Sequence, residues 1–399
     1  MLQRHSPLFS LLLGGLIALP PISIDLGLPA YSATAQALGV PEAAMTLTLS
    51  LFMAGFAAGP LVYGPVSERF GRRPVLLAGL ALYLASSAAC LLASSFAVLL
   101  VARLVQGAAA SAGTVLAIAA IRDLFPGPAG QRKMSVVTAI NGIAPLLAPS
   151  IGVALLAAGG WRLTYAVMTI GAATLLGGVG LGFGESIARR NPDALAPSQL
   201  WHGYRTVLTH RLSGRAALFN ALNFGVLFTY IAGSPIVLIA HMGISQRGYG
   251  LVFAATVAAA VGGTTLGMAL RRHGLSTSAM IRLGLVGELI ANAALLALNL
   301  AGCFRLELML PLMLVSNAGV GMIGPAASFA AMRDLPELAG FASAVLTSLQ
   351  TLAAALAAAL VSALFALAGP AGMACGMTFA LLLALAIFAV TPFASEGGK

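Results

Sequence analysis

The sequence predicts an all-α polytopic membrane protein with twelve transmembrane helices. Three observations lead to this fold class. The 399 residues are 59% hydrophobic and only 8% charged, whereas a soluble domain carries about 25% charged residues. Apolar runs of about 20 residues recur along the whole chain, and each is long enough to cross roughly 30 Å of hydrocarbon. The arginines collect in alternate loops, as is typical of the cytoplasmic side of a membrane protein.

Charged residues and breaks that contain Gly or Pro separate the apolar runs and define the individual helices. The predicted spans are 8–33, 43–65, 74–94, 96–121, 134–158, 161–184, 214–240, 248–270, 277–302, 307–331, 338–367 and 371–393. We interpret the first run as a retained helix rather than a signal peptide, because it lacks an A-x-A cleavage site. An even number of spans puts both termini on the same side of the membrane.

The basic residues orient the predicted helices. If both termini are cytoplasmic, then of the 21 Lys and Arg only Arg162, Arg247 and Arg305 lie in outer loops, and Arg103 lies within a span. This bias follows the positive-inside rule and accounts for the net charge of +10, so no nucleic-acid partner is needed to explain it. We therefore predict cytoplasmic N- and C-termini.

A polar stretch near the middle of the chain divides the helices into two sets of six. We predict an N-terminal six-helix bundle at 1–185, a cytoplasmic central loop at 186–213 and a C-terminal six-helix bundle at 214–399. A weak repeat supports this division, because segments 59–73 and 262–274 both carry glycines followed by paired arginines. Two similar halves are typical of transporters that bind their substrate near the midplane of the membrane.

Several classes of function are disfavoured. The segment GVGMIG (319–324) matches the dinucleotide fingerprint, but it lies inside a span and does not follow a strand. No Walker A loop precedes either lysine, so we expect no ATP hydrolysis. The three cysteines and five histidines follow no metal-binding pattern. We predict that the chain is not an enzyme and that it needs neither a metal nor a cofactor.

The candidate charged residues well inside predicted spans, away from the span ends, are Asp25, Arg103 and Glu288. Such residues cost roughly 2.5–3.5 kcal/mol at the centre of the membrane and tend to mark functional pathways. The span boundaries place Asp25 and Arg103 at similar depths, roughly 10–12 Å from the outer surface. They therefore form either an ion pair or two charges that share one water-filled cavity. A static pair that joins two helices is the structural alternative. Glu288 is the weaker candidate, since it could bond to a neighbouring helix.

Uncharged polar side chains within the spans are candidates for a substrate cavity. Such cavities are mostly apolar, with a few placed polar groups, but the same side chains could join helices by hydrogen bonds. The predicted cavity residues are Gln106, Asn141, Asn223, Tyr230, Asn317 and Gln350, and Asn220 is a further polar residue of this kind.

Three motifs in the first half resemble signatures of the major facilitator superfamily. GPVSERFGRRP (64–74) is similar to its helix 2–3 loop, and the matching residues are Gly64, Glu68, Arg69, Gly71, Arg72 and Arg73, with Glu68 where Asp is usual. RLVQGAAASAG (103–113) resembles the helix 4 motif. NGIAPLLAPSIGV (141–153) resembles the helix 5 motif of antiporters, with Pro145, Pro149 and Gly152. IDLGLPA (24–30), AIRDLF (120–125) and GWRLTY (160–165) resemble the Bcr/CflA (bicyclomycin/chloramphenicol resistance) branch of drug:proton antiporters.

The resemblance implies the major facilitator fold, with two pseudo-symmetric six-helix bundles and a central substrate cavity between them. It implies that Asp25 and Arg103 carry proton coupling and that the Pro and Gly residues of helix 5 shape its packing. It also implies that Glu68, Arg72 and Asp123 form a cytoplasmic charge cluster. This cluster would act as a conformational latch that holds the outward-facing state. A role of the loop charges in topology alone is the alternative.

The predicted function is a secondary active efflux transporter of the bacterial inner membrane. It would exchange protons for drugs or amphipathic small molecules by alternating access, as a monomer in the lipid bilayer. A proton-coupled transporter of one defined metabolite, such as a sugar, amino acid or nucleoside, is the first alternative. A non-transporting membrane receptor or scaffold is the second.

Overall fold

The computed structural model describes residues 6–391, and this part of the chain is helical with no β-strand. The helices are α1 (Pro7–Asp25), α2 (Tyr31–Leu38), α3 (Thr46–Phe70), α4 (Arg72–Leu91), α5 (Phe96–Leu124), α6 (Pro128–Gly159), α7 (Arg162–Gly182), α8 (Pro197–Thr209), α9 (Arg211–Pro235), α10 (Gln246–Arg272), α11 (Thr277–Leu300), α12 (Leu306–Arg333), α13 (Ala339–Ala368) and α14 (Gly372–Val390). The all-α prediction is confirmed. The terminal residues 1–5 and 392–399, which the orientation argument used, lie outside the described part.

Eleven helical stretches of the described chain are long and apolar enough to cross a membrane, so the protein is a multi-pass membrane protein. The last stretch, Ala339–Val390, has 52 residues and would extend about 80 Å as one straight helix. It consists of α13 and α14, separated by a short 3₁₀ turn at Gly369–Ala371. These two helices correspond to the predicted spans 338–367 and 371–393.

The chain forms two compact units. The first contains the described residues up to Val40 and Leu51–His202, and the second contains Pro41–Ser50 and the described residues from Gly203 onward. In the first unit, α1 packs against α5 and α6, and α4 packs against α5 and α7. In the second unit, α9 packs against α12, α13 and α14, and α12 also contacts α10 and α11. The first turn of α3 belongs to the second unit, where the Ser50 hydroxyl donates to the Ala355 carbonyl on α13 at 2.7 Å.

Small residues allow close helix crossings in both units. A Cβ atom on Gly107 would overlap the carbonyl of Phe52, and one on Gly55 would overlap the carbonyl of Leu104. Helices in a membrane associate largely through such close packing, because lipid offers no hydrophobic driving force between them. The GVGMIG segment has this role too, since Gly321 contacts the Ala260 backbone. The structure therefore gives this segment a packing function.

The first predicted span, 8–33, is interrupted. Helix α1 ends at Asp25, a 3₁₀ turn follows at Leu28–Ala30, and α2 then begins at Tyr31. The cause lies in the sequence: Pro29 has no N–H that could bond the Asp25 carbonyl four residues earlier. Irregular backbone at membrane depth is tolerated only where protein or a water-filled cavity surrounds it. The interruption therefore places Asp25 at the end of a broken helix.

The predicted central loop contains a helix that the sequence analysis missed. Helix α8 has 13 residues and lies between the predicted boundaries 186 and 213. It was missed because the segment is too short and too polar to resemble a span. The boundary between the two compact units falls inside α8, between His202 and Gly203.

Candidate functional site

Asp25 is the last residue of α1 and is only 3% exposed. Among the residues that the structure describes, no hydrogen bond or ion pair reaches its carboxyl group. A buried carboxylate ordinarily needs donors or a cation to offset its desolvation. No such group is present among the described residues, so this conformation favours the neutral acid, and the carboxyl group would release its proton where water, a donor or a cation reaches it.

Arg103 on α5 contacts the end of α1 without pairing with Asp25. Its Nη1 donates to the carbonyl of Ser23 at 3.0 Å and to Oε1 of Gln106 at 2.7 Å. Its guanidinium carbon lies 4.4 Å from the centroid of the Phe52 ring. The Ser23 carbonyl belongs to the last turn of α1, where carbonyls lack partners within the helix. A cation there also interacts favourably with the helix dipole.

Of the two arrangements considered for Asp25 and Arg103, the direct ion pair is therefore wrong in this structure. Arg103 instead binds the backbone two residues before Asp25, because the early end of α1 presents an unpaired carbonyl to it. The other expectation, that the two charges share one water-filled cavity, stays a prediction. Arg103 acts on Asp25 through the backbone that positions it.

Gln106 joins helices within the first unit. Its Oε1 accepts from Arg103, and its Nε2 donates to Ser87 Oγ on α4 at 2.8 Å and lies 3.8 Å from Met168 Sδ on α7. The side chain is fully buried. These contacts use both ends of the amide and join α5 to α4 and α7, as the helix-joining alternative for Gln106 expects, while its cavity role stays a prediction.

A second chain of hydrogen bonds ties the same part of α1 to α4. The Ser23 hydroxyl donates to the Leu19 carbonyl at 2.6 Å, so the Tyr83 hydroxyl, 2.5 Å away, donates to Ser23. Tyr83 and Ser23 are both buried. Two neighbouring helices therefore hold the last turn of α1 in place.

The helix 5 motif packs against the end of α1. A Cβ atom on Gly152 of α6 would overlap the carbonyl of Leu26, which directly follows Asp25. Pro149 is buried and Pro145 half-buried, and both lie within the continuous 32-residue helix α6. A larger residue at position 152 would push α6 away from the segment that holds Asp25.

Arg72 at the start of α4 and Asp123 near the end of α5 form an ion pair, which joins two of the three members of the expected charge cluster. Arg72 Nε lies 3.1 Å from Asp123 Oδ2, and Arg72 Nη1 donates to Ser67 Oγ at 2.6 Å and to the Gly64 carbonyl at 3.5 Å. The Ser186 hydroxyl also donates to Asp123 Oδ2, at 3.1 Å. These bonds connect the ends of α3, α4 and α5 with the segment that follows α7.

Glu185 is a functional candidate that the sequence analysis missed. Its Oε1 accepts from the backbone N–H groups of Arg72, Ser186 and Ile187 at 2.9, 3.0 and 3.2 Å. Its Oε2 accepts from the Arg73 N–H at 3.4 Å. The carboxylate thus caps the N-terminus of α4, where negative charge is favoured. The sequence feature that could have indicated this role is the position of Glu185 directly after the sixth predicted span.

Gly71 makes this capping contact possible. Its φ is +103°, in a region that side chains disfavour, and a Cβ atom there would lie 2.5 Å from Glu185 Oε2. The glycine of the loop motif is therefore required both by backbone conformation and by the approach of Glu185.

The remaining loop residues differ in their contacts. Arg73 Nη2 donates to the Gly180 carbonyl at 2.7 Å. Glu68 takes no ion pair within residues 6–391; only its backbone carbonyl accepts, from Asn191 N–H at 3.0 Å. The expected cluster of Glu68, Arg72 and Asp123 is thus wrong for Glu68 in this structure. The reason is that Glu185 and Asp123 already use the nearby donors.

Replacing Arg72 tests the ion pair. Arg72→Ala would leave Asp123 and Ser67 without their strongest donor, so we expect the free energy of unfolding to fall by about 2 kcal/mol or more. Arg69→Ala is the matched control, because Arg69 is exposed and its guanidinium carbon lies 5.5 Å from the centroid of the Phe70 ring. Surface changes stay within about 0.5 kcal/mol. Thermal unfolding of the purified variants measures both. Equal losses of stability in Arg72→Ala and Arg69→Ala would contradict a specific role for Arg72.

Two of the predicted cavity residues in the second unit bond within it. The Tyr230 hydroxyl lies 3.0 Å from Thr256 Oγ1, and Asn317 Nδ2 donates to the Met313 carbonyl at 2.8 Å. Asn220 likewise bonds Ser328 Oγ at 2.8 Å.

Three predicted cavity residues keep unused hydrogen-bonding groups. Asn223 is buried with no partner for Oδ1 among the described residues. Asn141 and Gln350 are half-buried, and within residues 6–391 neither side chain has a hydrogen bond. These three remain the better cavity candidates.

Glu288 on α11 is fully buried, and neither carboxyl oxygen has a hydrogen-bond partner in the described chain. It packs against Gly319 of α12, where a Cβ atom would lie 2.5 Å from Glu288 Cγ. One turn further along α11, Asn292 Nδ2 donates to Ser316 Oγ at 3.1 Å. Because a charged carboxylate without donors would be costly to bury, this packing accommodates the neutral acid.

Variants of Glu288 distinguish a neutral acid from a charged group. Glu288→Gln keeps the shape of the neutral acid, so we expect the unfolding temperature to change little. Glu288→Ala would leave a small cavity at the α11–α12 contact and lower stability by about 1–3 kcal/mol. Thermal unfolding in detergent measures both variants. A strong loss of stability in Glu288→Gln would indicate that the charged form is needed.

A comparison with protein-family models decides the family. Residues 13–358 match the model described as Major Facilitator Superfamily. The chain belongs to the major facilitator superfamily. Its family membership confirms the resemblance seen in the loop and helix motifs, and identifies a membrane transporter of small molecules rather than an enzyme.

Curated relatives within the superfamily include drug-resistance transporters. Over 343 residues the chain is 31% identical to a "Chloramphenicol resistance protein" of Pseudomonas aeruginosa. The matched region covers 84% of this chain and 79% of the relative. The chain is 29% identical to the "Multidrug resistance protein MdtL" of Klebsiella pneumoniae (strain 342), with 83% and 82% covered. It is also 29% identical to the "Uncharacterized MFS-type transporter YdgK" of Bacillus subtilis (strain 168), with 86% and 85% covered.

Solved structures of the superfamily share the fold. A D-xylose-proton symporter matches with a TM-score of 0.71 at 16% identity, covering 97% of this chain and 98% of the symporter. A bacterial homolog of the human lysosomal transporter Spinster matches with a TM-score of 0.74 at 16% identity, covering 97% and 96%. At this identity the likeness concerns the fold alone.

Proposed function

We propose that this superfamily member is an efflux transporter that exchanges protons for drugs or amphipathic small molecules. We further propose that it works by alternating access in the bacterial inner membrane, as a monomer with twelve spans and both termini in the cytoplasm. The relatives named for chloramphenicol and multidrug resistance support the substrate class. The division of the last apolar stretch into α13 and α14 supports twelve spans rather than eleven.

One observation carries the proton-coupled part of the proposal. Asp25 lies at the end of a broken helix, almost fully buried, and no described donor or cation contacts its carboxyl group. An intramembrane carboxyl group of this kind is a typical proton-exchange site. Meanwhile Arg103 and Tyr83 fix the backbone and side chain of Ser23, so the position of the carboxyl group is held while its proton is free to change.

The proposed cycle follows from this arrangement. With the site open to the cytoplasm, substrate binding is accompanied by release of the Asp25 proton inward. With the site open to the outside, a proton binds Asp25 and favours release of the substrate. Proton entry thus accompanies substrate export, so the inward proton gradient supplies the free energy of export. Asn141, Asn223 and Gln350 are proposed to contact the substrate, while Arg72, Asp123 and Glu185 are proposed to stabilise one conformation.

Competition between substrates tests the proposed function. Everted membrane vesicles that contain the protein would be energised with a proton gradient, and uptake of labelled chloramphenicol would be measured. We expect uptake, and we expect chemically unrelated hydrophobic cations such as tetraphenylphosphonium to inhibit it. Uptake that responds only to close analogues of one compound would favour a transporter of one defined metabolite. Absence of gradient-driven uptake for every drug tested would contradict drug export.

A further inference from the structure

Helix α8 has one face that packs and one face that does not. On the packed face, the Tyr204 ring lies 5.0 Å from the Phe341 ring in an edge-to-face arrangement, and a Cβ atom on Gly203 would lie 2.7 Å from the Phe341 ring. On the adjoining face, Trp201 is 70% exposed and Leu208 53% exposed. Large apolar side chains exposed on one face of a helix mark a candidate contact surface.

The exposed face of α8 combines apolar and basic groups. Trp201, Arg205 and Leu208 are spaced by four and three residues, so they lie on one side of the helix. Arg205 is exposed, like its two neighbours on this face. No acidic residue occurs in α8. The face is therefore apolar at both ends with a cation between them.

The position of α8 along the chain places it at the membrane surface. It ends at Thr209, and α9, the first helix of a candidate span, begins at Arg211. Only His210 separates the two helices, and its Nδ1 accepts from the Ser213 N–H at 3.2 Å, which caps α9. A connection this short keeps the end of α8 within a few ångströms of the point where α9 enters the membrane.

The charges around α8 favour an anionic surface. Five arginines lie between α7 and the first turns of α9: Arg189, Arg190, Arg205, Arg211 and Arg215. Between α7 and α9 there are only two acidic residues in the sequence, Glu185, which caps α4, and Asp193. Basic residues beside a membrane span attract anionic lipid headgroups, with about 1 kcal/mol for each cation close to the surface. Tryptophan favours the headgroup region, where its ring is partly buried and its N–H stays polar.

We propose that α8 is an interfacial helix that binds the anionic phospholipids of the adjacent leaflet. Trp201 and Leu208 insert among the headgroups, and Arg205 binds lipid phosphate. The packed face, through Gly203, Tyr204 and Val207, holds the helix on the protein. This contact ties the linker between the two compact units to the membrane surface. It does not depend on which substrate is transported.

The two tryptophans of the chain make a direct test possible. Trp161 is buried and Trp201 is exposed, so Trp161→Phe leaves Trp201 as the only indole. The full-length variant would be placed in nanodiscs of phosphatidylcholine and phosphatidylglycerol, with bromine on the acyl chains near the headgroup of one lipid at a time. We expect blue-shifted emission and strong quenching by brominated lipid, with weak quenching by aqueous iodide. Emission at the wavelength of a water-exposed indole, quenched by iodide and unaffected by bromine, would overturn the proposal.

Three further variants give a second test of insertion and a test of the charge. If Trp161→Phe does not fold, Trp201→Phe in the otherwise natural chain should remove the brominated-lipid signal, and an unchanged signal would overturn the insertion of Trp201. Arg205→Gln should weaken the preference of the quenching for brominated phosphatidylglycerol over brominated phosphatidylcholine by about fivefold. Arg247→Gln removes the same charge from the start of α10 and should leave the preference unchanged. Equal preferences in all three chains would overturn the binding of anionic lipid.

Discussion

Asp25→Asn is expected to abolish transport driven by a proton gradient and to leave exchange of substrate for substrate intact. The amide has nearly the shape of the neutral acid, so the buried end of α1 should keep its packing. It cannot release or bind a proton at this position, so substrate movement loses its connection to the gradient. Reconstituted vesicles measure both activities with the same labelled substrate. We expect gradient-driven uptake to fall to background and exchange to stay near that of the natural protein.

Glu288→Gln is the matched control for this variant. It also replaces by an amide a buried carboxyl group that has no hydrogen-bond partner within residues 6–391, but on α11 of the second unit. We expect it to retain gradient-driven uptake. If both amide variants lose gradient-driven uptake, proton coupling does not belong to Asp25 alone. If Asp25→Asn retains it, Asp25 has no part in coupling.

Arg103→Ala is expected to give the largest loss of stability. It would leave the Ser23 carbonyl without the Arg103 donor, and Gln106 Oε1 with only the weak Cys90 thiol donor at 4.0 Å, in a buried site. Each unsatisfied buried polar group costs about 1–3 kcal/mol, so we expect the free energy of unfolding to fall by about 2–5 kcal/mol. Arg103→Lys keeps the charge but lacks the planar fork of donors, so an intermediate loss is expected. Thermal unfolding of the purified variants measures the series.

Arg162→Ala is the control for the Arg103 series. Arg162 also donates to a carbonyl just beyond a helix end, that of Ala93 at 3.0 Å, and also stacks on an aromatic ring, that of Trp161 at 4.3 Å. It differs in being exposed. Water can replace its hydrogen bond, so we expect a loss below about 1 kcal/mol. If Arg103→Ala and Arg162→Ala lose similar amounts of stability, burial does not explain the importance of Arg103.

The helices and their family were predictable because they depend on composition and local motifs. Apolar runs define spans whatever their neighbours are, and the Arg72–Asp123 pair followed from the resemblance of the loop. The end of α1 at Asp25 was also within reach, since Pro29 removes the donor that would extend the helix. The predicted span nevertheless ran past it, because hydropathy alone does not register a lost hydrogen bond.

The contacts of the ionisable groups could not be predicted from the sequence. Depth along the membrane suggested that Arg103 meets Asp25, but the direction of a side chain depends on how α5 is rotated against α1, and the free Ser23 carbonyl competes for the guanidinium. Glu185 escaped notice because its partners are backbone N–H groups of Arg72 and Arg73, which are more than 100 residues away in the chain. A backbone N–H group is present whatever the side chain is, so no pattern of residue types in the sequence indicates such a contact.

Proton release by the purified protein tests the central claim most directly. Chloramphenicol would be added to the protein in weakly buffered detergent solution, and the pH followed alongside binding. The account predicts that the natural protein releases protons as the compound binds, and that Asp25→Asn binds the compound and releases none. Binding without proton release by the natural protein, or equal release by both proteins, would contradict the exchange of a proton for substrate at Asp25.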